Sequence, residues 1–340
     1  MTAAPASDDL IWLTEAQVAS LVGIDAAMGA LRTGFLEEAA GNASSVPKAL
    51  GALPTGAMHA LGSMMPARGF AGFKTWAHTT VGATAIFSLF DTRNGRLLAV
   101  LEAATLGQIR TAAISGLAAD VLAAPDASEL ALIGTGAQAL TQVAAVASVR
   151  PLKRLRVFSP TAERRAAFVQ RARHSFAFEV VECGSLEEAT RDAPIITLIT
   201  RTQQPFLRAD MVARGALLIA AGAILPANAE FFPDVLDRAG SVVVDNLSNA
   251  QGASRELMDY FGSDPKGWER VSTLGAVLAR PALVASGKDI KVFKPMGTGL
   301  SDLSVAIMAY EAAQRQHVGL HIKQPRRVMP TWRGAPNSAG

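Results

Sequence analysis

The hexapeptide Gly134-Thr135-Gly136-Ala137-Gln138-Ala139 sits directly behind the apolar run 129–133 and heads a helical stretch over 137–149. A strand that passes through a glycine turn into a helix leaves few folds open. The first glycine permits the tight turn, the second lets backbone approach a pyrophosphate, and the small third residue lets helix and strand pack closely. Gly134, Thr135, Gly136, Ala137 and Gln138 are therefore the expected seat of a dinucleotide. Its pyrophosphate is drawn by the free N–H groups and positive dipole end of the helix.

The pattern downstream repeats. Strand-like runs at 155–158, 178–182, 195–200, 217–221 and 242–245 alternate with helical stretches at 161–174, 186–192 and 233–238. Apolar strands alternating with helices predict a parallel sheet covered on both faces. At the tip of the second strand, Phe158-Ser159-Pro160-Thr161, there is no acid to take a ribose 2′-hydroxyl. Ser159 and Thr161, with Arg164 or Arg165 behind them, suit a 2′-phosphate instead, so NADP(H) is favoured over NAD(H). Thr200 and Thr202, at the carboxyl end of a strand, are expected to line the nicotinamide or ribose pocket.

The first 115 residues read differently. A single amphipathic helix over 15–38 leads into turn-rich sequence at 41–56, then strands at 83–91 and 96–102 joined by a hairpin at Asn94-Gly95. The helix at 300–316 is expected to return to this α+β part. The nucleotide domain (119–299) then becomes an insertion between 1–118 and 300–322, with 323–340 a flexible tail.

Composition excludes several classes. Of 340 residues, 50% are hydrophobic and 18% charged, enough apolar material for packed cores. The most apolar stretch, 216–225, is well short of the roughly 18–20 residues a bilayer requires, so no membrane partner is expected. The amino terminus lacks the basic and apolar segments of a secretory signal, and a cytoplasmic setting is the expectation. A lone cysteine, Cys183, allows no internal disulfide. His59, His78, His174, His317 and His321 show no metal-ligand spacing beyond His317 and His321 at i, i+4, so no metal is expected. The net charge of +3 is scattered, without aromatic interleaving, which argues against nucleic acid.

Further segments occur in a fixed order: Met65-Pro66-Ala67, Gly72-Phe73-Lys74, Gln108-Ile109-Arg110-Thr111-Ala112-Ala113-Ile114-Ser115, the glycine turn, and 292–303 with Gly297, Gly299 and Asp302. Together they resemble the ornithine cyclodeaminase and mu-crystallin family over residues 10–320. The resemblance implies an α/β fold in which a Rossmann-type doubly wound parallel sheet is inserted in an α+β substrate and dimerisation domain. It also implies a homodimer and a small amino- or imino-acid substrate. Lys74 and Arg110 become the substrate-carboxylate contacts, with Lys48 and Met65 beside them. A bidentate guanidinium and an ammonium are the chemistry a carboxylate wants. Gly297 and Gly299 would let backbone approach the nicotinamide, and Asp302 would orient Lys74 or a water, or else act as the first-turn acid of the last helix.

One departure carries the functional argument. Cyclodeaminases have an aspartate in a G-G-D-x-P-x-x-x-E segment; here the sequence is Gly222-Ala223-Ile224-Leu225-Pro226, ending at Glu230. Isoleucine exchanges no proton, so the redox half of the family's chemistry is expected: NADPH-dependent reduction of a cyclic imino acid such as pyrroline- or piperideine-2-carboxylate. Ornithine cyclodeamination, reductive amination of the alanine dehydrogenase type and non-catalytic NADPH and ligand binding are the alternatives. Lys48 in place of a common arginine, and Pro295 in place of a common serine, bear on substrate identity.

Overall fold

The structure, a computed structural model, describes residues 9–284 and 289–330. The chain opens with β1 (Asp9–Leu13), α1 (Glu15–Leu21) and α2 (Ile24–Ala39). The single helix expected over 15–38 is thus two, bent by 83°. Val22 is extended and Gly23 becomes the N-cap of α2, so the apolar periodicity continues across a real break. Next come β2 (Ser44–Leu53), β3 (Gly56–Met65), β4 (Phe70–Thr79), β5 (Ala83–Asp91), β6 (Leu97–Glu102) and the long helix α3 (Ala104–Leu122). The expected turn-rich segment at 41–56 is in fact β2 and its hairpin to β3. Its Pro47 lies within an irregularity between Val46 and Ala49, and β2 is an edge strand, which is where a strand tolerates proline.

The nucleotide part follows as β7 (Glu129–Ile133), α4 (Ala139–Ala147), β8 (Arg154–Phe158), α5 (Ala162–Ser175), β9 (Glu179–Glu182), α6 (Leu186–Thr190), β10 (Ile195–Leu198), β11 (Leu217–Ala220), α7 (Asp234–Arg238) and β12 (Ala239–Val244). Short helices α8 (Leu247–Ala253), α9 (Arg255–Phe261) and α10 (Pro265–Trp268) lead to β13 (Val271–Thr273) and α11 (Leu274–Ala279). The chain closes with β14 (Ile290–Lys294), α12 (Gly299–Gln316) and β15 (Leu320–Lys323).

Two sheets result. The first runs β15-β1-β6-β5-β4-β3-β2; the second, parallel throughout, runs β13-β12-β14-β11-β10-β7-β8-β9. The order of strand addition reverses between β7 and β10, the switch point at which open α/β sheets take ligands. Helix α12 lies across β3, β4 and β5, and so returns to the first sheet. Helix α3 runs through residue 118, where the sequence places a domain boundary. Its residues from Ala112 to Ala119 are buried throughout, as in a helix wrapped by protein on all sides. One of two apolar cores therefore runs from Leu31, Phe35 and Leu303, through Ile114 and Leu117, to Leu130 and Val143.

The tail expected from 323 is partly ordered. Lys323 ends β15 and Gln324 donates to the Leu97 carbonyl at 2.6 Å. Residues 331–340, and the amino-terminal stretch read for a signal, lie outside the described residues. Among the described residues no single helix is long and apolar enough to cross a membrane; the bent pair α1–α2 passes by composition only.

Candidate active site

The glycine turn has the geometry its sequence implies. Gly134 adopts φ +109°, and a side chain there would meet the Ile199 carbonyl at 2.8 Å, so the turn passes close to the end of β10. A Cβ on Gly136 would meet nothing within 4 Å. Thr135 is half-buried and Ala137 exposed. Gln138, the N-cap of α4, provides no side-chain cap, and its Oε1 is buried without a partner. Free amides, an open glycine and an uncapped helix end together fit a pyrophosphate.

At the tip of β8 the two arginines divide. Arg165, not Arg164, is folded inward: its Nη1 donates to the Ser159 carbonyl at 2.6 Å and its Nε pairs with Glu182 at 3.0 Å. Arg164 and Thr161 remain exposed, and Thr161 makes no cap bond, while Ser159 is buried. At the other end of β8, Arg154 pairs with Glu179 at 2.7 Å and Glu129 at 3.2 Å.

Lys74 on β4 and Arg110 on α3 converge on Asp302 in the first turn of α12. Lys74 Nζ lies 3.2 Å and Arg110 Nε 3.1 Å from the same oxygen, Asp302 Oδ1. Asp302 is fully buried and its Oδ2 has no partner. The two carboxylate contacts and the aspartate that the resemblance implies thus form one cluster. Arg110 spends only Nε on it, so among the described residues Nη1 and Nη2 carry no protein hydrogen bond and offer a two-pronged donor. Burial pushes the Lys74 ammonium below its ordinary lysine range, the Asp302 carboxylate opposes that, and Arg110 reinforces it.

Lys48 stands nearby rather than in the cluster: exposed on β2, its Nζ lies 5.9 Å from the centre of the Trp76 ring, with Lys74 Nζ at 5.4 Å. Trp76 in turn stacks on His59 at 4.4 Å. Met65 is buried, packed against Gly34 of α2. Gly297, at φ +84°, brings backbone against Arg110, where a Cβ would approach Nη1 to 3.2 Å. Gly299 instead faces the backbone of β3, since a Cβ there would meet the Gly62 carbonyl at 2.4 Å. Its missing side chain serves helix-on-strand packing.

Several residues given no role from the sequence hold this region. Asp245 accepts from the amides of Met296 at 2.8 Å and Gly297 at 2.7 Å, while Asn249 donates to the Gly297 carbonyl at 2.8 Å. Glu230 binds Thr200 through its amide (2.6 Å) and hydroxyl (2.7 Å), and the amides of Gly222 (2.9 Å) and Ala223 (3.1 Å). Lys294, wholly buried, donates to the Ala223 carbonyl at 2.5 Å and pairs with Glu256 at 3.4 Å. Thr202 closes its own turn onto Gln204, and Gln108 donates to the Ala137 carbonyl at 2.8 Å, tying α3 to the glycine turn. Ile224 is exposed on the loop that Glu230 pins.

Burial, helped by the Asp245 carboxylate, raises Glu38 to about 7. A carboxyl raised from 4.5 lets the folded state keep a proton that the unfolded chain has lost. Stability is therefore full below pH 4.5 and falls as pH rises to about 7. Glu38→Gln is expected to leave the melting temperature unchanged at pH 4.5 and raise it at pH 8, by roughly 1–2 kcal/mol of stability after discounting for partial exposure. Equal melting shifts at both pH values, by calorimetry, would remove the assignment.

A doubly wound parallel sheet with a glycine turn beside its switch point, tied by Gln108 to the helix that carries Arg110, is that of a nicotinamide-dependent oxidoreductase. The chain belongs to the ornithine cyclodeaminase/mu-crystallin family, whose model matches residues 9–317. It is 30% identical over 323 residues to an alanine dehydrogenase of Archaeoglobus fulgidus, covering 92% of this chain and 97% of that one. It is also 30% identical over 246 residues to a Delta(1)-pyrroline-2-carboxylate reductase of Bacillus cereus, covering 70% and 74%. Among solved structures, an archaeal alanine dehydrogenase dimer with bound NAD superposes with a TM-score of 0.85 at 28% identity, over 93% of this chain and 99% of that one.

Proposed function

We propose that this protein reduces a small cyclic imino acid, a ketimine such as pyrroline-2-carboxylate or piperideine-2-carboxylate, to the L-amino acid with NADPH. The observation that carries the reading is the Lys74–Asp302–Arg110 cluster, with the free prongs of Arg110 beside the Gly297 turn and the non-titrating Ile224 on the pinned loop. When bound, the dihydronicotinamide supplies the hydride. Arg110 Nη1 and Nη2 take the substrate carboxylate and Lys74 adds charge at its edge. Asp302 holds the two cations together, and its spare Oδ2 gives a donor arriving with the ligand a buried acceptor. The Gly134–Gln138 turn receives the pyrophosphate, and Gly297 and Thr200 border the nicotinamide end. Imine reduction needs a protonated nitrogen, which a bound iminium already carries, so no acid is required at position 224.

The test is loss of NADPH absorbance with purified protein and each cyclic imine. Ammonia release from ornithine with NAD, and no imine reduction, would replace this reading with cyclodeamination; NADPH binding without either activity would leave a carrier. Reductive amination of a keto acid is the second reading, favoured by the breadth of the alanine dehydrogenase match. NADP(H) is preferred because Arg164 and Thr161 are exposed at the β8 tip and residues 158–161 include no acid. Arg164→Ala is expected to weaken NADPH roughly tenfold and leave NADH unchanged. Equal losses for both nucleotides, in a fluorescence titration, would shift the preference to NAD(H).

A homodimer fits the outer face of the first sheet. Met58, Met64 and Phe73 alternate with Lys74 and its neighbours along β3 and β4 and are 59%, 41% and 41% exposed. Such a patch wants a partner surface.

A further inference from the structure

We infer that Glu15 is a positioning residue of the carboxylate clamp, fixing the first turn of α3, on which Lys74 rests, and placing a second carboxylate charge there. The inference rests on the reading of Lys74 and Arg110 as that clamp.

Helix α3 starts without a cap of its own, because its N-cap residue is Ala103. The amides it exposes are met from almost ninety positions away: Glu15 accepts from Ala104 at 2.7 Å and Thr105 at 2.8 Å. Glu15 is held in turn by Glu102, which accepts from the Glu15 amide at 2.7 Å and from Trp12 Nε1 at 3.3 Å. The parallel strands β1 and β6 end side by side, Leu13 opposite Leu101, and each leads into a helix. Glu102 thus serves the start of α1 while Glu15 serves the start of α3, a reciprocal pair of caps.

This matters for the clamp because of where Lys74 sits. A Cβ on Gly107 would stand 2.6 Å from Lys74 Nζ, so the ammonium rests on the first turn of α3, one turn before Arg110. The positive end of a helix is an unfavourable place for a cation. Lys74 also faces Arg110 from α3, and beyond Trp76 stands Lys48 of β2. Against these, Asp302 from α12 is shared through a single oxygen between two cations. The Glu15 carboxylate from α1 is the other negative charge acting on Lys74.

The experiment is Glu15→Gln in the full chain, with binding of pyrrole-2-carboxylate, a planar carboxylate, followed by calorimetry across pH. Glutamine keeps an oxygen for one of the two amides and loses the charge. We expect affinity near neutral pH to fall roughly tenfold and the alkaline limb of the binding profile to move about one pH unit lower. Glu15→Asp, which keeps the charge, should return the limb towards its original position. Unchanged affinity and limb in Glu15→Gln would overturn the inference, and so would weaker binding with the limb unmoved, since that is what a merely structural cap gives. Binding that Lys74→Met fails to weaken would instead overturn the clamp reading, and the role of Glu15 with it.

Discussion

Asp302→Asn is expected to lower kcat/KM for the proposed imino-acid substrate by roughly ten- to a hundredfold. Asp302 is fully buried, and both Lys74 and Arg110 are bound through its Oδ1. Asparagine keeps the shape and removes the charge, leaving two nearly buried cations facing each other. Breaking a buried ion pair by deleting one partner costs about 3–5 kcal/mol, and each 1.4 kcal/mol is about a factor of ten. Part of this cost is expected in folding and part in the active geometry, because Lys74, relieved of its counter-charge, gives up its proton more readily. Steady-state kinetics and urea unfolding of the same preparation separate the two shares. A carboxylate ligand should stabilise the variant more than it stabilises the parent chain, since it brings the missing charge. A variant within fivefold of the parent would mean that the two cations do not depend on Asp302.

Glu230→Ala has the second-largest expected effect. One carboxylate satisfies four donors at the ends of β10 and β11: two on Thr200 and the amides of Gly222 and Ala223. Each buried donor left without an acceptor costs about 1–3 kcal/mol, so the loss is about 4–5 kcal/mol even if water recovers some of the bonds. Burial raises the Glu230 carboxyl above its ordinary range, and Lys294 is first among the groups that oppose this. Lys294 would keep Glu256 as its acidic partner in the variant. We expect early unfolding in urea and weakened binding of the nicotinamide nucleotide, since Thr200 loses its anchor. A melting temperature equal to the parent's would show that the four donors find other acceptors.

What the sequence disclosed followed the range of the interactions involved. The turn at Gly134–Gln138 and the strands around it were readable because strand, glycine turn and helix are contiguous. The hairpin at Asn94-Gly95 was readable for the same reason. Lys74 and Arg110 came from a resemblance, and Asp302 was ambiguous, since a first-turn acid on a helix looks the same whether or not two cations fold onto it. Strand β2 was missed because Pro47, Gly51 and Pro54 signal turns locally, and only the position of β2 at a sheet edge makes Pro47 tolerable. Arg164 and Arg165 are adjacent letters, and which one folds inward depends on Glu182, a strand away. Glu15 offered no signal at all: its partners, Ala104 and Thr105, are backbone amides far along the chain.

The hydrogen bond from Gln108 to the Ala137 carbonyl places the two ligands on one lever. Gln108 lies two residues before Arg110, and Ala137 lies in the turn proposed to receive the pyrophosphate. On the proposed function, a nucleotide seated on this turn acts through that hydrogen bond on the start of α3, and so couples to the imino acid held by Arg110. The coupling is reciprocal, so each ligand tightens the other by the same factor. On that reading the imino acid is held more weakly before the reduced nucleotide binds than after, and the concentration of that nucleotide sets how much imino acid is retained.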